Sequence, residues 1–153
     1  MKLGTIEYGS GTSAVVVRDR GVVPVRSLAG RESARNVSNL IDNPLTSKEL
    51  VALDGVTPLD KRDCRWLPPL SPSKNVFCVG KNYLAHVLEG AKAEGLSTAS
   101  APRKPIWFTK ARTALIGHNG PIRLHPAAPL ETDYEGELAV VIGRTLAPED
   151  GSS

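Results

Sequence analysis

The sequence predicts an α+β protein in which strands predominate, and three observations support this fold class. Residues 3–28 alternate in short apolar runs separated by glycine-containing turns, which is typical of a β-meander. Thr46 followed three residues later by Glu49 has the pattern of a helix capping box. Strand-forming apolar runs recur in the second half, the longest at 134–142. We therefore expect a small meander-and-helix domain followed by a second domain that is mostly β.

The first domain is expected to cover residues 1–70, including a linker at its end. A proline within a strand favours an edge or a bulge, so Pro24 assigns the third strand to such a position. Residues 56–74 are rich in Pro, Asp, Arg and Ser, which is typical of a linker or an extended crossing segment. The elements predicted before it are strands at 3–8, 13–18 and 22–28, a short helix within 30–43, and a helix from Thr46 to the stop at Asp54-Gly55.

The second domain is expected to cover residues 71–153. A short apolar run ends at Gly80, where we expect the backbone to turn sharply into a helix. Small residues at 97–104 indicate a loop. The elements predicted here are strands at 75–79, 105–109, 121–124 and 134–142, and a helix at 83–95.

Composition excludes several classes of function. The hydrophobic fraction of 41% and charged fraction of 23% are ordinary for a globular protein. The net charge of +3 comes from dispersed Lys and Arg, and few aromatic residues are present, so neither nucleic-acid binding nor base stacking is indicated. No apolar run has the length of a membrane span or a signal peptide. Two cysteines without metal-type spacing predict a reduced, cytoplasmic protein in which Cys78 is a buried structural thiol.

Three carboxylates occupy alternate positions at the start of the longest apolar run. On a strand, Asp133, Glu135 and Glu137 would project from one face. Two such charges a few ångströms apart repel each other by on the order of several kcal/mol at an effective dielectric near 20. A hard divalent cation with oxygen ligands is the simplest group that would offset this repulsion.

Two further features carry chemistry. His86 and Glu89 would be neighbours on one helix face, where the carboxylate would orient the imidazole to act as a general base that deprotonates water. An ordinary pair of exposed surface residues is the alternative. Lys110 ends a predicted strand, where it could receive a substrate carboxylate or simply be exposed to solvent.

Taken together, these residues resemble the fumarylacetoacetate hydrolase family. The resemblance extends over residues 75–143, and residues 1–70 resemble the small N-terminal domain of many bacterial members. The motifs that carry it occur in order, as Val79-Gly80-Lys81-Asn82-Tyr83-x-x-His86-x-x-Glu89, Pro105-Ile106-Trp107-Phe108-Thr109-Lys110, Gly120-Pro121-Ile122 and Asp133-Tyr134-Glu135-x-Glu137-Leu138-Ala139-Val140-Val141-Ile142-Gly143.

The resemblance implies a catalytic domain with a mixed β-roll fold and a homodimeric enzyme. It implies that Glu135 and Glu137 bind Mg²⁺, or alternatively Mn²⁺ or Ca²⁺, and that His86 and Glu89 activate water. Lys110 is kept as a substrate contact because of its position at the end of a predicted strand. The implied substrates are small 2-oxo or 1,3-dicarbonyl acids, and the implied reactions are C–C hydrolysis, decarboxylation or isomerisation through a metal-bound enolate. Fumarylpyruvate or acylpyruvate hydrolysis and hydroxyhepta-dienedioate isomerisation, in the breakdown of aromatic compounds, are examples.

The chain departs from the family pattern at its C-terminal end. In the family a third metal ligand, an aspartate, and a substrate-contacting lysine follow the Tyr-Glu-x-Glu segment, whereas this sequence ends at Ser153. Asp150 is too close to that segment to serve as the ligand. The expectation is therefore an incomplete β-roll in a truncated chain. The alternative function is an inactive fragment that acts at most as an association module.

Overall fold

The computed structural model describes residues 1–97, 100, 102–127, 129–130, 132–145 and 147. This part of the chain is mixed, with two antiparallel sheets and a few short helices. The strands are β1 Lys2–Tyr8, β2 Gly11–Arg18, β3 Gly21–Pro24, β4 Trp66–Leu67, β5 Val76–Gly80 and β6 Ile106–Lys110. The helices are α1 Val37–Asp42, α2 Ser47–Asp54 and α3 Leu84–Ala93, with 3₁₀ turns at Val25–Ser27 and Arg112–Ala114.

The first sheet confirms the predicted meander and has the strand order β3-β2-β1-β4. Two-residue turns join β1 to β2 and β2 to β3, because Tyr8 pairs with Gly11 and Arg18 pairs with Gly21. The third strand lies at an edge, as Pro24 predicts, but it ends at that residue instead of continuing to Leu28. The chain then enters a 3₁₀ turn, in which Leu28 donates its N–H to the Val25 carbonyl.

The hydrophobic core belongs to this first half. Side chains from both faces of the first sheet form two clusters, one of them covered by α1 and α2. The buried members are Ile6, Ala14, Val15, Val16, Val22, Val23, Val25, Ala34, Leu40 and Leu53. Among the described residues after position 67, Val87 alone is buried. The first sheet and its helices therefore supply the packing that stabilises this fold.

The second helix begins as predicted, with a side-chain network around its capping box. The Thr46 hydroxyl accepts a hydrogen bond from the Glu49 N–H, and Glu49 accepts in return from the Thr46 N–H. The guanidinium of the buried Arg31 donates to both Glu49 oxygens and to the carbonyls of Asn43 and Pro44. The Arg31 hydrogen bonds and those from Thr46 lower the pKa of Glu49 to about 2.

The predicted linker is partly structured. Trp66 and Leu67 form β4, which pairs with Ile6 and Thr5 of β1, so this stretch belongs to the first sheet. The Trp66 indole N–H donates to the Lys61 carbonyl, which holds the ring in place. The rest of 56–74 contains no helix or strand, as the composition predicts. The expected division of the chain near residue 70 stays a prediction.

The second sheet has two strands, β5 and β6, which pair antiparallel from Val76↔Lys110 to Gly80↔Ile106. The helix α3 lies between them in sequence and confirms the predicted helix. The predictions of strands at 121–124 and 134–142 are wrong for the described residues, which form neither helix nor strand there. Alternating side chains favour a strand, but a strand also needs a neighbour whose backbone accepts its hydrogen bonds, and none of the described residues supplies one.

Much apolar surface in the second half is open to solvent. Phe77 is 71% exposed, Trp107 63% and Val140 78%. The chain exposes 12271 Å², whereas a compact protein of 16.3 kDa exposes about 7,500 Å². Among the described residues, no helix has both the length and the hydropathy to cross a membrane.

Candidate functional site

A cavity of about 490 Å³ brings together four of the residues that the sequence singled out. His86, Glu89, Glu135 and Glu137 all line it. The remaining lining residues come from the end of β5, the start of α3, β6 and the segment around the two glutamates: Val79, Gly80, Lys81, Asn82, Tyr83, Ala85, Ile106, Phe108, Tyr134 and Gly136. The predicted base and the predicted cation ligands therefore face a common space.

The turn between β5 and α3 is made by a different residue from the one predicted. Gly80 stays within β5, paired with Ile106. Lys81 makes the turn with a φ of 53°, in the left-handed region that disfavours side chains. A non-glycine residue in this conformation costs on the order of 1 kcal/mol or more and is typical of functional sites. The strain lies directly beside the cavity.

The helix α3 presents the predicted base. Val87 is its buried residue, and it fixes which face of the helix turns inward. His86 and Glu89, one turn apart, are both exposed and line the cavity. In the described structure the two side chains form no hydrogen bond with each other, although both line the same cavity. Catalytic hydrogen bonds are often long before substrate binds, so this geometry agrees with either a base or a surface pair.

The acidic segment at 133–138, which we call the carboxylate segment, separates the three predicted carboxylates. Asp133 accepts a hydrogen bond from the N–H of Tyr134 at 2.8 Å and does not line the cavity. Glu135 and Glu137 line it. The Asp133 carboxylate therefore binds the backbone N–H of the next residue, which agrees with its having no predicted role in the site.

Lys110 contacts a predicted cation ligand. Its ammonium lies 3.4 Å from the Glu135 carboxylate, and both side chains are about half exposed. Although Lys110 pairs with Val76 at the far end of the hairpin from Gly80, its ammonium also lies 5.9 Å from the centre of the Phe108 ring. Residues two apart on a strand share a face, so the lysine stem lies back along β6 over Phe108 and reaches the glutamate. Sequence reasoning missed Phe108, because a single aromatic residue in a strand has no distinctive signal.

A tyrosine that the sequence reasoning left without a role joins the helix to the carboxylate segment. The N–H of Leu138 donates to the Tyr83 hydroxyl at 3.0 Å. Tyr83 is the residue before the first turn of α3, three positions before His86. The sequence signal for a role of Tyr83 is weak, because the spacing of the motif that contains Asn82-Tyr83 identifies His86 as the chemical group and gives no role to the tyrosine.

The donor set fits a hard cation that keeps most of its water. Within the described ranges, no three His, Cys, Asp or Glu side chains converge closely enough to hold a metal ion. Glu135 and Glu137 nevertheless offer carboxylate oxygens to the same cavity. Mg²⁺ commonly binds through one or two carboxylates plus substrate and retains waters, so two glutamates are sufficient for weak binding. Asp150, which the sequence excluded as the third metal ligand, lies outside the described residues.

A larger cavity, of about 750 Å³, contains none of the predicted residues. It lies between residues 61–68 and the loop 115–121. Two of its cationic groups are already paired, since Arg62 binds Asp60 and Arg65 binds Glu7. The chemistry therefore points to the smaller cavity.

Comparison with known proteins connects this geometry to a family. The family described as fumarylacetoacetate (FAA) hydrolase C-terminal matches residues 75–150. Oxaloacetate tautomerase YisK of Bacillus subtilis is 42% identical over 78 residues, which are 51% of this chain and 24% of that protein. The mitochondrial oxaloacetate tautomerase fahd2 of Xenopus laevis is 34% identical over 86 residues, or 56% of this chain and 24% of the relative.

An uncharacterized protein of Archaeoglobus fulgidus is 45% identical over 95 residues, or 61% of this chain and 34% of the relative. The chain thus matches between about a quarter and a third of the length of these relatives. The family match over residues 75–150 includes α3, the hairpin of β5 and β6 and the carboxylate segment.

Proposed function

Residues 75–150 of the chain belong to the fumarylacetoacetate hydrolase family, and from this premise we propose that the protein is part of a divalent-metal-dependent enzyme acting on a 2-oxo acid. Enzymes of this family generally depend on a divalent metal. The observation that carries the proposal is the single cavity lined by His86, Glu89, Glu135 and Glu137. Mg²⁺ is the proposed cation, with Mn²⁺ or Ca²⁺ as substitutes, and a homodimer is the proposed assembly.

Among the three reaction types implied for the family, the relatives favour isomerisation. Two of them are named oxaloacetate tautomerases, which interconvert keto and enol forms of a four-carbon 2-oxo diacid. Such a reaction removes a proton from the carbon beside the carbonyl and places a proton on the carbonyl oxygen. C–C hydrolysis and decarboxylation need the same stabilisation of charge on that oxygen, with water attack or loss of CO₂ in addition.

The residues of the cavity divide this work between them. Glu135 and Glu137 would hold the cation, which when bound supplies stabilisation of negative charge on the substrate oxygens. His86 would take the proton from the carbon beside the carbonyl and deliver it to the carbonyl oxygen, because an imidazole can act as both general base and general acid. Glu89, one helical turn away, would orient the ring. Lys110 lies beside Glu135, where its charge would attract a substrate carboxylate.

Two variants test the cation ligand and the base separately. Glu135→Gln keeps the side-chain shape and removes the charge, so we expect Mn²⁺ affinity, followed by water-proton relaxation, to fall at least about tenfold, since even outer-shell changes cost 10–100-fold. Glu94→Gln is the matched control, because Glu94 follows α3 and does not line the cavity. His86→Asn should leave cation affinity intact and abolish catalysed oxaloacetate tautomerisation. Unchanged Mn²⁺ binding in Glu135→Gln would overturn the assignment.

The non-enzymatic alternative is an association module, and the exposed apolar residues of the second half favour it. Phe77 and Trp107 are more than 60% exposed, and exposed apolar patches mark association surfaces. A folded chain that binds no Mn²⁺ at millimolar concentration, and that sediments as a complex with itself, would support this alternative over the enzyme.

A further inference from the structure

We propose that Tyr83 is a positioning residue of the cation site, which holds the carboxylate segment at the first turn of α3. The proposal rests on the function proposed above, because it concerns how Glu135 and Glu137 are held for a cation. Tyr83 belongs to the motif that carries the family resemblance, but none of the predicted roles was assigned to it.

The hydroxyl of Tyr83 has a single defined partner in the described structure. It accepts the N–H of Leu138, the residue directly after Glu137, at 3.0 Å. Although Tyr83 occupies the cap position of α3, its side chain makes no capping hydrogen bond to the helix. The hydroxyl therefore joins the element that carries His86 to the segment that carries the two glutamates.

The carboxylate segment depends on such contacts, because it has no helix or strand of its own. The other side-chain contact to this segment, from Lys110 to Glu135, involves a flexible lysine whose attraction is screened by salt. A tyrosine ring has only two side-chain torsions, so its hydroxyl is a better-defined anchor. When an anchor is lost, the binding-competent arrangement becomes a smaller fraction of the ensemble, and apparent affinity falls by that fraction.

The test is Tyr83→Phe in the 153-residue chain, which removes the hydroxyl and keeps the ring. We expect the Leu138 amide to exchange its hydrogen faster, and Mn²⁺ affinity to fall about fivefold, the effect of losing one ordinary hydrogen bond. The matched control is Tyr8→Phe, which removes a phenolic hydroxyl in β1 of the first sheet. Tyr8→Phe should change neither readout. If Tyr83 only stabilised the fold as a whole, amide exchange in the first sheet would also become faster. Lower cation affinity with unchanged exchange in the first sheet therefore indicates a local positioning role.

Two results would overturn the proposal: parent-like exchange at Leu138 in Tyr83→Phe, or parent-like Mn²⁺ affinity despite faster exchange. If Tyr83→Phe fails to fold, Leu138→Pro removes the same hydrogen bond from the donor side, and parent-like Mn²⁺ affinity in that variant would overturn the proposal equally. Failure of the proposed function is distinguishable, because Glu135→Gln would then bind Mn²⁺ like the parent. The Leu138 exchange rate would still report on the tyrosine contact.

Discussion

Replacing Lys110 by methionine should raise the affinity of the chain for a divalent cation. The lysine ammonium lies 3.4 Å from the Glu135 carboxylate, at the place where a cation would take that oxygen. A cation that binds must displace the ammonium or tolerate its repulsion. Methionine keeps an unbranched stem that can lie on Phe108 and removes the charge, so the change acts mainly on electrostatics.

The size of the effect follows from the geometry of the pair. Two unit charges 3.4 Å apart attract each other by about 1.2 kcal/mol in bulk water. The two side chains are 54% and 48% exposed, and exposed ion pairs contribute about 0.2–1 kcal/mol when measured. Since 1.4 kcal/mol corresponds to a factor of ten, removing the competing ammonium should tighten cation binding by about 1.4- to 5-fold.

The assay is a Mn²⁺ titration followed by water-proton relaxation, at low and at high KCl. The gain of Lys110→Met should be largest at low salt, because screening weakens the interaction that the variant removes. Lys74→Met is the control, since it removes one exposed positive charge just before β5 without a described contact to Glu135. Weaker Mn²⁺ binding in Lys110→Met than in the parent would refute the competition, as would an equal gain in Lys74→Met.

Two predictions concern the first half of the chain. The pKa of Glu49 is lowered to about 2 chiefly by its hydrogen bond from Arg31, so its contribution to stability is present above its ordinary pKa of 4.5 and is lost as pH falls toward 2. Urea unfolding at pH 5 and pH 3 should therefore show a smaller acid loss in Glu49→Gln than in the parent; equal losses would contradict the assigned pKa. Gly21→Ala should destabilise the first sheet by more than about 1 kcal/mol, because Gly21 has a φ of 146° and a Cβ there would lie 2.3 Å from the Leu59 carbonyl oxygen. The control Gly55→Ala, also in the first half, has a φ of −82° and a Cβ there would lie 3.5 Å from the Ala52 carbonyl oxygen, an ordinary contact, so an equal loss of unfolding free energy in both variants would contradict the strain argument.

The two halves of the chain are stabilised in different ways. The first sheet has a core of fully buried aliphatic residues, whereas the hairpin of β5 and β6 has every residue of β6 exposed. Packing of apolar surface is the main source of stability in folded proteins. Site variants in the second half should therefore be compared by local readouts, such as amide exchange and cation affinity, instead of by global unfolding.

Local sequence signals determined those features that depend on nearby residues. The turns of the meander, the edge position imposed by Pro24 and the capping box of Thr46 and Glu49 follow from interactions within a few positions, and the structure confirms them. The helix carrying His86 is a further example, since the sequence predicted a helix over 83–95 and α3 spans Leu84–Ala93. The residue types at the candidate site were likewise identified from motif and spacing.

Tertiary structure alone decided how those residues meet. The sequence predicted a strand at 134–142, but alternation specifies only which faces side chains would take, and a strand forms only where a neighbour satisfies its backbone. The carboxylate segment meets Tyr83 through the Leu138 N–H and Lys110 through the Glu135 carboxylate, and these partners are 55 and 25 residues apart in sequence. Such separations leave no periodic trace, because a long loop closes at a cost that hardly depends on which residues it joins.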